Sequence, residues 1–424
     1  MIDIKLIRQD RAAIQKLLRR KEPDIDLTLI CELDDEIRHL KTHNEQLKAK
    51  RNEISKQIGQ MKREGKDPSE IMNQASGFAD EIHANDHKIH ELDTKLTAEL
   101  ATLPNLPLEE VKVSQSVEDN VILKEWGQKR AFNFEPKNHL ELGESLNLFD
   151  FKRGAKITGS GWPVYRGMGA RLEWALINYM LETNIKNGFE MFMVPLAVKR
   201  DTIFGSGQLP KFEDQQFHVA DKDFDFFLIP TAEVPLNGLH IDEIIDEEQL
   251  PLKYCAFTPC FRREAGAAGE KERGLIRVHQ FNKVEMFCFA TPDQSMEILA
   301  TMCACAEEIL QGLGLHYRSV ALVTGDMSFA SAYTVDIEVW LPGQDRYYEV
   351  SSVSNCTDYQ ARRSMTRFRR KGEKPEFVHT LNGSGLATSR LLVSLIENNQ
   401  NEDGTVNVPE VLQSRMGGTK VLSP

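Results

Sequence analysis

From Ile30 to Leu103 the apolar residues recur at alternating spacings of three and four, a rhythm that leaves few folds open to the segment. Ile30, Leu33, Ile37, Leu40, Asn44, Leu47, Arg51, Ile54, Ile58 and Met61 form a heptad seam with two polar interruptions. REGKDPSE breaks it with a glycine and a helix-starting Asp67-Pro68 pair. Ile71, Ala75, Phe78, Ile82, Asn85, Ile89, Leu92 and Leu96 then resume the rhythm. Two seams of similar length joined by a short turn predict an antiparallel two-helix coiled coil over about residues 28–103, an arm roughly 45 to 50 Å long. Between Lys48 and Lys66 the basic residues Lys48, Lys50, Arg51, Lys56, Lys62, Arg63 and Lys66 meet only Glu53 and Glu64, so the tip is positive although the arm as a whole is slightly acidic. Heptads alone indicate a spacer or dimerisation rod; the tip charge adds contact with a phosphate backbone as a second reading.

Beyond the arm, Pro104, Pro107 and the polar run EEVKVSQSVEDN read as a linker. This gives an N-terminal domain over 1–105, a linker over 106–120 and a body over 121–424. A chain of 424 residues with 41% apolar content can bury a sizeable core there. The net charge of −12 argues against indiscriminate binding to polyanions, so any nucleic-acid site must be a local basic patch. Seven cysteines lie scattered without a CxxC pair or zinc-type spacing, which predicts reduced thiols in a cytoplasmic protein; Cys303 and Cys305 read as helix packing. The charged N-terminus MIDIKLIRQDRAAIQKLLRR is expected to be neither a signal peptide nor a membrane span, and no other stretch reaches spanning length.

In the body, strand parity in FTPCFRRE puts Arg262 and Glu264 on the face of Thr258 and Cys260, with Phe257, Phe261 and Arg263 opposite. After the loop AGAAGEKERG, a second strand is expected to separate Ile276, Val278, Val284 and Met286, a core face, from Arg277, His279, Phe281, Lys283 and Glu285. A solvated sheet face would account for such alternation. The residue types also make a recognition set: arginines for phosphate or carboxylate, an aromatic for a purine, and carboxylates for amino or hydroxyl donors. DIEVWLPGQDRYYEVSSVSN predicts two strands around LPGQDR, with Asp336, Glu338 and Glu349 available for a cation that accompanies phosphates. In LNGSGLATSRLLVSLIENN, Gly383 and Gly385 precede a buried helix expected from Leu386, with Arg390 about a turn and a half in and needing an anion or π face as partner. Ser384 either caps that helix or contacts a ligand.

These stretches resemble the signatures of class II aminoacyl-tRNA synthetases and, in this form, those of the seryl-tRNA synthetase family. Motif 1 resembles KNGFEMFMVP, motif 2 is FRREAGAAGEKERGLIRVHQFNKVEMF, motif 3 is NGSGLATSRLLVSLIENNQ, and TAEVP at 231–235 looks like the family's serine-site string. The arm is similar to the family's N-terminal tRNA-binding domain, and neither HIGH nor KMSKS occurs. The resemblance implies an α+β chain, the coiled coil followed by a class II catalytic domain whose mainly antiparallel sheet of seven strands is flanked by helices. It implies a homodimer through motif 1, ATP-dependent activation of L-serine with Mg²⁺, and transfer to tRNA(Ser), with tRNA(Sec) a second candidate.

Carried over by motif position, Arg262 and Arg390 would be the catalytic phosphate clamps. Glu264 would meet the adenine amino group, Phe281 would stack on the base, and Arg277 would meet the terminal phosphates. Arg263, Val278, Val350 and Ser351 complete the implied ATP set, and Glu349 with Ser352 would bind Mg²⁺. Thr231 and Glu233 would receive the serine ammonium, Arg262 its carboxylate, and Glu285 with Ser384 its hydroxyl, with Ala232 and Asn382 beside them. Lys48, Lys50, Arg51, Lys56, Lys62, Arg63 and Lys66 would grip tRNA. Glu349 and Ser352 have opposite strand parity, so a bulge is expected between them. Motif 3 reads GLATSR where relatives often have GLAVGR, so the packing at Thr388 and Ser389 is expected to differ. A carrier-loading paralogue or a nucleotide-binding regulator is the other reading; such relatives tend to lack the arm or a motif arginine.

Overall fold

The computed structural model describes residues 1–264 and 274–424; most of the loop expected between the motif 2 strands lies outside them. The chain divides between Leu103 and Pro104 into two compact units.

In the first unit, α1 (Thr28–Arg63) and α2 (Ser69–Ala101) are the two predicted helices. Gly65, at φ +68°, turns the chain, and Asp67 accepts from the Ser69 amide at 3.0 Å. The seam is unevenly buried. Ile30, Ile37, Leu47, Ile82, Ile89, Leu92 and Leu96 are fully enclosed, whereas Ile54, Ile58, Met61, Ile71 and Phe78 nearer the turn are half-buried. The polar interruptions answer one another: Asn85 Nδ2 donates to Asn44 Oδ1 at 2.9 Å, and Asn44 Nδ2 donates to Asp86 at 2.8 Å. Such a layer fixes the register of the two helices. Heptad reasoning gives no place to Asp34, which is buried and held by Arg8 Nε at 2.6 Å.

The second unit is built on one sheet of eight strands. These are β1 (Val121–Trp126), β2 (Glu190–Phe192), β3 (Leu252–Phe261), β4 (Gln280–Ala290), β5 (Tyr317–Ala321), β6 (Tyr333–Leu341), β7 (Arg346–Asn355) and β8 (His379–Ala387). Their order is β1-β5-β6-β7-β8-β4-β3-β2. The expected count of seven is thus exceeded by one, and the motif 1 strand β2 pairs parallel to β3 at the edge. The long segment between β2 and β3 permits that crossover, while the hairpin-linked strands must run antiparallel. Helices α3 (Gly167–Lys186), α4 (Ser295–Gly312) and α5 (Thr388–Asn398) cover one face, where Leu172, Met180, Met302, Ile309, Leu391 and Leu395 meet Val284, Met286 and Cys288. Cys305 belongs to this core. The last residue assigned to the N-terminal domain and the linker after it lie on the second unit: Asn105 Nδ2 donates to the Cys356 carbonyl at 2.8 Å, and Val111 packs against Leu322 and Met327.

Three local readings change. The second motif 2 strand starts at Gln280, because the His279 amide bonds the Gly161 carbonyl at 2.9 Å. Parity therefore does not govern Ile276 to Val278. LNGSGLA is strand, and the helix starts at Thr388, so Arg390 stands in its first turn. Ser384 sits mid-strand opposite Glu285 and caps nothing. The two glycines are there for close approach: a Cβ on Gly385 would come within 2.6 Å of Asn184 Nδ2, and one on Gly383 within 3.1 Å of Val353.

Candidate active site

On the sheet face away from those helices lies a cavity of about 480 Å³. Alternation along β4 sends Phe281, Lys283 and Glu285 into it. Register adds Ser384 and Asn382 from β8, and Ser352 and Ser354 from β7. Its walls also hold Thr231, Glu233, Arg262, Glu264, Arg277, Val278, Glu349 and Arg390. Most of the residues singled out from sequence thus surround one space. Arg263, Ala232, Val350 and Ser351 do not line it. Ala232 is enclosed in a second apolar cluster with Phe287 and Phe289, and Val350 lies in the main core. The Arg263 amide donates to the Gln215 carbonyl at 3.1 Å, and Ser351 Oγ donates to the Ser384 carbonyl at 2.6 Å, so both brace the walls from behind.

The floor is anionic and enclosed. Glu285 is 1% exposed, forms an ion pair with buried Lys283, and accepts from Thr231 Oγ1 at 3.2 Å. Glu233 accepts from Gln360 Nε2 at 2.6 Å and from Asn382 Nδ2 at 3.2 Å. Burial, then the negative charge of Glu285, pushes its pKa up to about 7. An incoming cation would reverse that shift, since opposite charge favours ionisation. Lys283 is absent from the site set carried over by motif, though it shares the parity of Phe281 and Glu285. Gln360 is separated in sequence from every motif and carries no signal.

The other end is cationic. Arg262 lies 5.1 Å from the Phe281 ring centre, and its Nε donates to the Pro230 carbonyl at 3.4 Å. Arg277 Nε stands 2.8 Å from Glu264 Oε2. The half-buried Arg390 guanidinium has both kinds of partner expected of it, Glu349 Oε2 at 2.8 Å and the Tyr348 ring at 5.0 Å.

Register shows the bulge between Glu349 and Ser352: Ile337 faces Ser351 while Glu338 faces Glu349, leaving Val350 unopposed. Both Glu349 and Ser352 therefore reach the cavity. The wider trio does not converge: Glu338 turns to Arg318, and Asp336, half-buried opposite Ser352 and hydrogen-bonded to it, is not among the lining residues, its pKa raised by burial and by Glu349. Among the described residues no group of three His, Cys, Asp or Glu side chains converges as a metal site. A carboxylate and a hydroxyl are hard oxygen donors that suit Mg²⁺, which keeps waters and takes phosphate oxygens for its remaining positions.

Comparison with known proteins finds relatives along the whole chain. Residues 1–107 match the family model described as seryl-tRNA synthetase N-terminal domain, and residues 215–399 match that of the tRNA synthetase class II core domain (G, H, P, S and T). The serine–tRNA ligase of Chlamydia felis is 50% identical over 100% of this chain and 99% of its own length. That of Chlamydia abortus is 50% identical over 100% of both. Among solved structures, seryl-tRNA synthetase from Pyrococcus horikoshii complexed with ATP superposes with a TM-score of 0.95 at 38% identity, covering 100% of each chain. The cytoplasmic serine–tRNA ligase of Naegleria fowleri in complex with AMP gives 0.90 at 29% identity, covering 100% of this chain and 99% of the other.

Proposed function

This chain belongs to the seryl-tRNA synthetase family, and on that premise we propose that its cavity joins serine and ATP, with serine at the Glu285 end and ATP at the Phe281 end. The reaction is ATP-dependent activation of L-serine to seryl-adenylate, followed by transfer of the seryl group to the 3′ end of tRNA. The observation that carries the site assignment is polarity: an enclosed floor with Glu233, Glu285 and Thr231 adjoins a mouth with Arg262, Arg277 and Arg390.

Serine attacks the α-phosphorus through its carboxylate, which is already ionised at neutral pH, so no general base is required. Alignment and positive charge lower the barrier. Arg262 stands between the two ends, where it can hold the serine carboxylate and the α-phosphate together. Glu233, with Thr231 beside it, takes the ammonium, and ionises as it does so. Glu349 and Ser352 would hold Mg²⁺, which supplies charge neutralisation at the phosphate oxygens. Lys283 joins the site through its ion pair with Glu285, whose carboxylate accepts from the serine hydroxyl.

The test is pyrophosphate exchange with each of the twenty amino acids. Serine alone supports rapid exchange, with alanine rejected by roughly 10⁴-fold because it leaves Glu285 and Ser384 without a partner. Glu285→Ala narrows the serine/alanine ratio and raises the serine KM, while the ATP KM changes much less. Lost ATP binding with intact serine preference would exchange the two ends.

The homodimer is part of the same proposal. Edge strand β2 and the flanking motif 1 residues expose Met191 at 46% and Met193 at 92%, and Trp174 on α3 is 56% exposed. An uncovered sheet edge with large apolar side chains is a surface that self-association would bury. Light scattering should give the mass of two chains for the wild type and of one for Trp174→Glu/Met193→Lys; a dimer that survives both changes places the interface elsewhere. No helix among the described residues is long and apolar enough to cross a membrane, and a cytoplasmic location is proposed from the reduced-thiol reading and the family.

A further inference from the structure

One buried carboxyl outside the cavity touches both segments that form its ATP end. Glu173 on α3 is 3% exposed. Its Oε1 accepts from Asn282 Nδ2 at 3.0 Å and is hydrogen-bonded to Thr388 Oγ1. Thr388 Oγ1 also lies 2.9 Å from the Asn282 carbonyl oxygen. Asn282 follows Phe281 and precedes Lys283 in β4, and Thr388 opens α5 two residues before Arg390. Thr388 is the hydroxyl that replaces the apolar residue of GLAVGR.

Counting protons decides the state of this cluster. The Thr388 hydroxyl has one proton and faces two acceptor groups. Both contacts are satisfied together when Thr388 donates to the Asn282 carbonyl while the Glu173 carboxyl, carrying its own proton, donates to Thr388. The second carboxyl oxygen, Oε2, is buried with no hydrogen-bond partner among the described residues, as is the Tyr165 hydroxyl of the short strand Val164–Tyr165. A bare, ionised oxygen there is costly and a neutral acid much less so.

We propose that Glu173 is a positioning residue for ATP, a neutral carboxylic acid that ties the strand carrying Phe281 and Lys283 to the first turn of the helix carrying Arg390. The proposal rests on ATP lying at the Phe281 end of the cavity. Burial pushes the Glu173 pKa up to about 7, with the Thr388 and Asn282 contacts opposing. The groups that face it from β4 and α5, Asn282 and Thr388, are neutral. Tyr165 is its titratable neighbour, with a pKa itself raised by burial and by Glu173. The sign follows: the stability that the neutral acid contributes is full below its ordinary pKa of 4.5 and declines as pH rises towards about 7, and above that the acid is ionised in the folded chain and the tie is lost.

The experiment measures KM for ATP and for serine separately, by pyrophosphate exchange from about pH 6 to about pH 9, in the full chain. In the wild type the ATP KM rises several-fold on the alkaline side while the serine KM does not follow it. Glu173→Gln, neutral at every pH and able to donate to Thr388, keeps the low-pH ATP KM and flattens that rise. Glu173→Leu removes the partner of Asn282 Nδ2 and one of the two partners of Thr388, leaving only the Thr388–Asn282 carbonyl bond, and raises the ATP KM about tenfold, with the serine KM within about twofold. A folded Leu variant with the wild-type ATP KM overturns the inference, as does a Gln variant that keeps the alkaline rise; if the Leu variant does not fold, the Gln profile decides. Phe281→Ala separates the two levels. If it raises the ATP KM and Glu173→Leu does not, only the role of Glu173 falls; if neither does, the ATP assignment falls with it.

Discussion

Arg262→Ala loses seryl-adenylate formation by about 10²- to 10³-fold or more, while the protein stays folded and keeps its mass. The guanidinium stands at the boundary of the anionic floor and the cationic mouth, 5.1 Å from the Phe281 ring centre and hydrogen-bonded to the Pro230 carbonyl. A preorganised donor aimed at charge that develops in a transition state is worth about 3 to 4 kcal/mol, and this one would serve two reacting groups at once. Lysine restores charge but not the two-pronged geometry, so Arg262→Lys recovers part of the rate. Arg390→Ala falls nearly as far for an added reason. Glu349, whose carboxylate Arg390 holds at 2.8 Å, is left without that counter-charge. Steady-state exchange and a single-turnover measurement of adenylate separate the chemical step from release. Exchange close to wild type in a folded Arg262→Ala protein removes Arg262 from the chemistry and leaves Lys283 as the cation nearest the floor.

The legible parts of this chain are those set by local spacing. Heptads mark α1 and α2, and parity along β4 sends Phe281, Lys283 and Glu285 to one face. Parity also requires a bulge if Glu349 and Ser352 are to share a side, and the β6–β7 register supplies it. What escapes is set by partners distant in the chain. The second motif 2 strand begins at Gln280 because Gly161, more than a hundred residues earlier, takes the His279 amide. Ser384 is not a cap because β4 claims it as a strand neighbour, and Asp34 is buried because Arg8 meets it there. Glu173 sits on a helix whose apolar periodicity marks neighbouring residues as core, and nothing in that pattern announces a carboxyl among them. Burial of a polar group is decided by what lies across the fold, and one strand of sequence does not display it.

Shortening the arm should abolish efficient tRNA charging and leave amino-acid activation intact. The seam gives a place to cut. Leu47 and Ile82 are the last fully buried pair before the turn, next to the Asn44–Asn85–Asp86 layer, and the seam beyond them is only half-buried. Replacing residues 49–80 with a short Gly/Asn turn removes the exposed basic residues Lys50, Lys56, Lys62, Arg63 and Lys66 while the enclosed part of the coiled coil keeps its core. Serine-dependent pyrophosphate exchange needs no tRNA and involves residues of the second unit alone, so it stays near wild type. Aminoacylation of tRNA(Ser) falls by roughly 10²-fold or more, because several basic side chains release the phosphate backbone together. A full-length variant with charge reversed at Lys56, Lys62 and Arg63 tests the electrostatic part separately. Each basic residue that ceases to neutralise a phosphate should lower the slope of log affinity against log salt by about one, up to about three in all. Lys66 is a poorer choice for reversal because it already pairs with Glu64 at 2.7 Å. If the shortened enzyme charges tRNA normally, the arm does not bind it; if exchange and charging decline together, the arm supports folding or assembly of the catalytic unit instead.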